Sequence, residues 1–200
     1  MSKLKMILPL VFFTSCSGGG GFSSDYFPLL LETPKRVINS FKPYTPGDDY
    51  IQNQKTSFVT VELGAQNATL VLQSIDNNVF TWIGLDNVVL KTYKGFIIST
   101  VGLEHNLEII DPLSNIDKLL INESDILVYT FDHPKLYELP ISVNYINQSS
   151  QIIELDLVSD DINWHSKIKI EYEHNGLPSS SMQSSHPFLK PLRLRFYYKY

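Results

Sequence analysis

The chain has a single cysteine, Cys16, among its 200 residues. One thiol excludes an internal disulfide framework, so stability must come from a packed core. No run reaches the ~20 apolar residues that a membrane-spanning helix needs. Nor is there a basic excess: 16 Lys and Arg stand against 21 Asp and Glu, a formal charge of −5. That balance excludes the basic footprint of a nucleic-acid binder and argues against electrostatic docking on anionic lipid. The histidines, His105, His133, His165, His174 and His186, never pair at i, i+2 or i, i+4, and no His-Glu-x-x-His motif occurs. A Gly-x-Ser-x-Gly elbow, a phosphate loop, a dinucleotide fingerprint and a repeat of fixed period are likewise missing. The expectation is a protein that is not an enzyme and holds no cofactor or metal.

What is present begins at the N-terminus. Lys3 and Lys5 form a positive region, Met6 to Phe13 an apolar one, and Thr14-Ser15 a small-residue site before Cys16. Leu10-Val11-Phe12-Phe13-Thr14-Ser15-Cys16 resembles the lipobox of bacterial lipoproteins, in which the cysteine is lipidated and becomes the new N-terminus. The rival readings are an ordinary cleaved signal with an incidental cysteine and a buried structural cysteine. Ser17-Gly18-Gly19-Gly20-Gly21 counts against the second, because such a run has no side chains to bury and is costly to order. The expected organisation is a signal peptide at 1–15, a lipidated Cys16 and flexible linker at 16–24, a partly helical arm at 25–46 that packs on the main body, and a β domain at 47–200. Loss of Lys3 and Lys5 would leave the mature chain more acidic still. Ser17, rather than Asp, after the cysteine favours the outer membrane in enterobacterial sorting.

At 43% hydrophobic and 12% aromatic, the chain has enough apolar mass for a core. From Tyr50 onward the periodicity is two. Val59, Val61 and Leu63 alternate with Thr60 and Glu62, and runs at 69–75, 79–83, 88–93 and 96–100 follow as a meander of hairpins. Asp111-Pro112 opens a helix, with Asp111 as cap and Leu113, Ile116, Leu119 and Leu120 at helical spacing. Strands return at 139–145, 153–157, 168–172 and 192–198, and Asn175-Gly176 marks a hairpin. The Ser-rich run 178–183 reads as a weak edge strand, and Tyr197, Tyr198 and Tyr200 as cover for a sheet edge. About ten strands and one or two short helices give a mainly β fold class: antiparallel meander sheets forming a curved sandwich or partly open barrel.

Two stretches carry a family resemblance. Leu90-Lys91-Thr92-Tyr93-Lys94-Gly95-Phe96-Ile97-Ile98-Ser99-Thr100-Val101-Gly102-Leu103-Glu104-His105-Asn106-Leu107 resembles the strand–Gly–strand segment of YjbF-type lipoproteins, which closes in Thr-x-Gly-Leu and Asn-Leu. Residues 164–176, with the Ser-rich strand after them, resemble the Trp-led closing hairpin of the same family, and Trp82 in its short strand adds to the likeness. The resemblance implies an outer-membrane lipoprotein, encoded with exopolysaccharide or capsule export genes, with an all-β scaffold and no established enzymatic role. Its expected surroundings are the outer membrane through a palmitate-bearing N-terminus, the periplasm, other exopolysaccharide-secretion envelope proteins, and the polysaccharide itself.

Candidate contact residues are few. Trp82, Tyr93 and Trp164 offer flat rings to a pyranose; the alternative is that they fill the core. Lys169, Arg193 and Arg195 belong to a charged face with Lys167, Lys199, Glu171 and Glu173, opposite Ile168, Ile170, Tyr172, Leu192, Leu194, Phe196 and Tyr198. That face is either a solvated sheet surface or a docking patch for an acidic glycan or protein. Asp160 and Asp161 near His165 read as a polar turn rather than a cation site. The competing functions are a periplasmic glycan hydrolase, which needs two carboxylates ~5–9.5 Å apart across a cleft, and a lipoprotein chaperone or carrier, which needs an unfilled apolar cavity.

Overall fold

The computed structural model describes residues 46–103, 105–132 and 136–199. The expected signal peptide, the linker with Cys16 and nearly all of the arm lie outside the described residues, as do His133 and Tyr200.

Twelve antiparallel strands follow one another around a closed barrel: β1 (Phe58–Leu63), β2 (Gln66–Asp76), β3 (Val79–Ile83), β4 (Val89–Tyr93), β5 (Phe96–Val101), β6 (Leu107–Ile109), β7 (Ile126–Phe131), β8 (Tyr137–Gln148), β9 (Ile152–Ser159), β10 (Trp164–Tyr172), β11 (Pro178–Gln183) and β12 (Leu192–Tyr197). Every strand pairs with its sequence neighbours, and β12 returns to β1 along a register from Phe58↔Tyr197 to Leu63↔Leu192. The expected sandwich or partly open barrel is therefore corrected to a closed barrel. Closure satisfies backbone groups that an open sheet leaves bare at its two edges. The Ser-rich β11 is accordingly no edge strand, since β10 and β12 flank it.

Alternation sets which side chains enter. On β8, Leu139, Ile141 and Val143 are buried while Glu138, Pro140, Ser142 and Asn144 are exposed. On β12, Leu192, Leu194 and Phe196 face in, opposite Leu63, Val61 and Val59 of β1. Register shifts in the pairing of β2, β4, β8 and β10 with their neighbours add the local twist that curving a sheet requires.

Helix α1 (Asp48–Asn53) precedes the barrel and sets Tyr50 edge-on against Phe58, with ring centroids 5.8 Å apart. Helix α2 (Pro112–Leu120) connects β6 to β7. Pro112 suits its first turn, and Ile116 and Leu119 are fully buried, as the helical spacing predicts. Asp111 makes no side-chain cap; its backbone is left-handed at φ 45°, so the expected capping role is corrected. The side chain of Asn115 instead donates to the carbonyl of Ile110.

Strand direction assigns each connection to an end. Those after even-numbered strands, including the one carrying α2, lie at one end with the incoming chain at Pro46. Those after odd-numbered strands lie at the other. Between the two ends the barrel is bridged. Gln183 on β11 accepts the amide of Ile97 at 3.0 Å and donates to the carbonyl of Gly95 at 2.9 Å, although β5 and β11 are not neighbours in the sheet. At this level the opposite walls touch, which leaves no lumen there for a carrier's cargo.

Candidate functional site

The sequence candidates do not converge. Trp82 is 0% exposed, donates to the Thr92 hydroxyl at 2.9 Å and stacks among Phe80, Phe196 and Tyr198. It has no ring face to offer a sugar, so its place is the core. Tyr198 lies in the same cluster and Tyr197 stacks on Phe58 at 4.6 Å, so neither covers an edge. Trp164 opens β10 at the opposite end from α2. It is half-buried beside Tyr129 and Phe131 and keeps part of its ring accessible.

Tyr93 belongs to the helix end. Its hydroxyl donates to Asp117 Oδ1 of α2 at 2.9 Å, and Lys94 Nζ reaches the same oxygen at 2.8 Å. Lys94 and Gly95 both have positive φ, 48° and 83°, which makes the tight two-residue turn between β4 and β5. The Lys94 carbonyl accepts the Tyr172 hydroxyl at 2.8 Å. The hydrogen bond from Lys94, joined by that from Tyr93, holds the Asp117 carboxyl below its ordinary value against the opposing effect of burial. Burial, with the Asp117 hydrogen bond, raises Tyr93. Burial is the largest single effect on Lys94 and works to lower it, but the hydrogen bond to Asp117 and the interactions with Tyr93 and the Asp117 charge together outweigh it, and the amine is raised. None of the three is poised to exchange a proton near neutrality. The trio is a clasp that fastens α2 over the barrel mouth, aided by Tyr145, which donates to the Leu119 carbonyl, and Gln148, which donates to that of Leu120.

The charged face forms as the alternation predicts, and β11 aligns it. Lys169, Met182 and Arg193 lie in one cross-strand row, and Glu171, Ser180 and Arg195 in the next. Lys169 meets Glu171 at 2.9 Å and Glu154 at 3.8 Å. Its hydrogen bond, foremost among the causes, holds Glu171 below its ordinary value. The cations are therefore interleaved with anions rather than massed. His165 pairs with Asp156 at 2.6 Å, not with Asp160 or Asp161. Among the described residues no group of three His, Cys, Asp or Glu side chains is arranged to hold a metal.

Two further features were not singled out by the sequence. An open pocket of about 320 Å³ beside the end of α2 is lined by Asn122, Glu123, Ser124, Asp125, Val143 and Tyr145. It holds two carboxylates, but both residues are exposed, whereas a glycosidase acid needs a dry site to stay protonated. The second feature is the end away from α2. There His105 and His186 stack at 4.6 Å, with Phe131 edge-on to His186 at 4.8 Å. Around this buried pair, each connection except the β1–β2 turn has an exposed large apolar side chain in it or beside it: Leu85, Val101, Leu136, Ile162 and Phe188. Leu136 is 75% exposed and Phe188 67%. No local pattern predicts the rim, because its members come from five separate connections.

Comparison with known proteins places this geometry. Residues 32–167 match the family model described as group 4 capsule polysaccharide lipoprotein gfcB, YjbF. Among solved structures, the hypothetical lipoprotein YmcC from Escherichia coli (K12) is similar, with a TM-score of 0.58 and 16% identity. The alignment covers 78% of this chain and 99% of that one. At that identity the likeness speaks for the fold alone. No curated protein matches the chain.

Proposed function

This chain belongs to the family of group 4 capsule polysaccharide lipoproteins, and from that premise we propose that it is a non-enzymatic accessory protein of capsule or exopolysaccharide production and secretion. In this reading it is anchored through lipid on Cys16 to the bacterial outer membrane, faces the periplasm, and acts through contacts with other envelope proteins.

The family match carries the reading, and the surface supports its contact mode. Large apolar side chains stand exposed at both barrel ends, Ile121 foremost at the α2 end and Leu136 and Phe188 at the end away from it, and such groups are surface that a protein working by docking can use. Trp164 stands at that end and is the ring we assign to any direct glycan contact. The hydrolase alternative has only the exposed carboxylates Glu123 and Asp125 in its favour. The carrier alternative meets the Gln183 bridge where its cavity would run.

The test is a pair of variants in a strain that secretes the polysaccharide. Cys16→Ala should abolish lipid labelling and release the protein from the membrane. Replacing Leu136, Ile162 and Phe188 together by Ser should leave the barrel folded and anchored but stop secretion. Normal secretion from that anchored, folded triple variant would refute action through the rim. Loss of secretion on Glu123→Gln with Asp125→Asn, both stable, would favour the hydrolase.

A further inference from the structure

The outer wall formed by β6, β7 and β8 has an apolar centre. On β10 and β12 the outward positions carry Lys167, Lys169, Glu171, Arg193 and Arg195, side chains that water solvates well. On β7 the inward residues are Leu127, Tyr129 and Phe131, so Ile126, Val128 and Thr130 point out. Register places Val128 opposite Pro140, an exposed outward position of β8. On the other side the Ile110 amide donates to the Val128 carbonyl at 2.9 Å. That bond carries the β6 ladder one residue past the strand and puts Ile110 in the same row. Three apolar residues thus stand side by side across three strands, about 5 Å from strand to strand. Ile126 follows in the next row, about 7 Å along β7. Ile110 is 39% exposed and Ile126 47%. Strand pairing makes these residues contiguous, and a contiguous exposed apolar surface marks an interaction site where single exposed residues do not.

The row on the other side of Val128 is acidic. Glu108 of β6 and Glu138 of β8 flank Thr130 there, and both are exposed. Strands β5 to β9 contribute no lysine or arginine. The same row meets its first cation at Lys91 of β4, beyond Ser99 of β5. Among the described residues neither glutamate forms an ion pair. We propose that this wall docks a basic amphipathic segment of a partner protein. Its apolar side chains lie on Ile110, Val128, Pro140 and Ile126, and its Lys or Arg side chains meet Glu108 and Glu138. Charge decides among the occupants. An anionic glycan or lipid surface would face two carboxylates of its own sign, and like charges brought together at an interface are costly. A cationic segment is attracted by both, and charges at the rim of an apolar contact steer and orient the encounter. The binding chemistry of the wall stands apart from the secretion reading, since it holds whatever process the partner serves.

The experiment uses the full chain with Cys16→Ser, so that lipid plays no part. The probes are two fluorescein-labelled helical peptides of roughly 14 residues, about 20 Å of helix. Both have the same leucine face; one has lysines on its other face and one has glutamates. Binding is read by anisotropy at low salt. The lysine peptide should bind at least about tenfold more tightly than the glutamate peptide, and added salt should weaken it. Glu108→Gln with Glu138→Gln should weaken it about three- to tenfold, and Ile110→Ser with Ile126→Ser at least about tenfold. Asp48→Asn with Asp49→Asn removes the same charge from α1, which leads into β1 across the barrel from β7, and should leave binding unchanged. If the isoleucine pair lowers the melting temperature, the glutamate pair, isosteric and exposed, still decides. Equal binding of the two peptides would overturn the proposal. So would wall variants that bind like the wild type, or an α1 pair that costs as much as the glutamate pair. Concentration-dependent dimers abolished by the isoleucine pair would make a second copy the occupant, and would overturn it too.

Discussion

Gln183 and Gly95 hold opposite walls of the barrel together, the amide of one donating to the carbonyl of the other at 2.9 Å. The same side chain accepts the Ile97 amide, so one residue satisfies two buried backbone groups. Gln183→Leu keeps the volume but orphans both. Each orphaned group costs about 1–3 kcal/mol, so urea denaturation should show a loss of roughly 2–6 kcal/mol. A loss below about 1 kcal/mol would mean that the walls are held by packing alone.

Gly95 tests how closely those walls approach. A Cβ there would sit 2.6 Å from Ile170 Cγ2 and 3.1 Å from Pro178 Cβ, at φ +83°. Gly176 has nearly the same φ, +80°, and nothing within 4 Å. Gly176→Ala should therefore cost only the backbone penalty, about 1–2 kcal/mol. Gly95→Ala should cost that plus overpacking, a further 1–3 kcal/mol or so. Equal melting shifts for the two variants would show that the walls can part.

The clasp at the helix end predicts a pH dependence. Asp117 has a carboxyl held below its ordinary value mainly by the Lys94 hydrogen bond. A group depressed in the folded state contributes stability that is fully present above its unfolded pKa. That contribution is lost as pH falls from the ordinary carboxylate range through the lower folded value. Asp117→Asn should flatten this part of the acid limb of stability against pH while leaving stability above neutrality only modestly reduced. Both ends of the pair are nearly half exposed, so added salt should narrow the difference between the two proteins.

The interleaved face predicts little. Replacing Lys169, Arg193 and Arg195 together by Ser should change stability by no more than about 1 kcal/mol. Secretion should persist, because Lys169 is already answered by Glu154 and Glu171. A stable triple variant that no longer secretes would move the glycan contact to this face. Ile170→Asp, by contrast, should unfold the barrel, since it places an unpaired charge at a fully buried position.

Local pattern made much of this legible. The alternation on β8, β10 and β12 identified their inward faces, and Pro112 with its helical spacing located α2. Two strands were not legible. β6 is three residues long, too short for a period to register, and β7 continues the apolar texture that follows the helix. Closure was illegible for a different reason: whether β12 meets β1 or faces solvent depends on a partner far away in sequence, and alternation reads the same either way. The edge role given to β11 followed from that. The charged face was found but its neutralisation was not, because β11 sets which charges share a row. The stacked imidazoles of His105 and His186 come from two connections and leave no local signal. Trp82 looked like a sugar platform only because composition does not say which side of a strand is inside.

The seam between the first and last strands also has a consequence in time. Ser57 donates to the carbonyl of Lys199, and the Lys199 amide returns a bond to the Ser57 hydroxyl, across 142 positions of sequence. A chain made from its N-terminus meets that partner last. Until β12 emerges, β1 and β11 each present a bare strand edge, able to pair with any other chain nearby. A nascent protein cut short before Leu192 would thus not be a slightly smaller barrel but a sticky open sheet, and the cell's quality-control machinery would have the whole interval of synthesis in which to meet it.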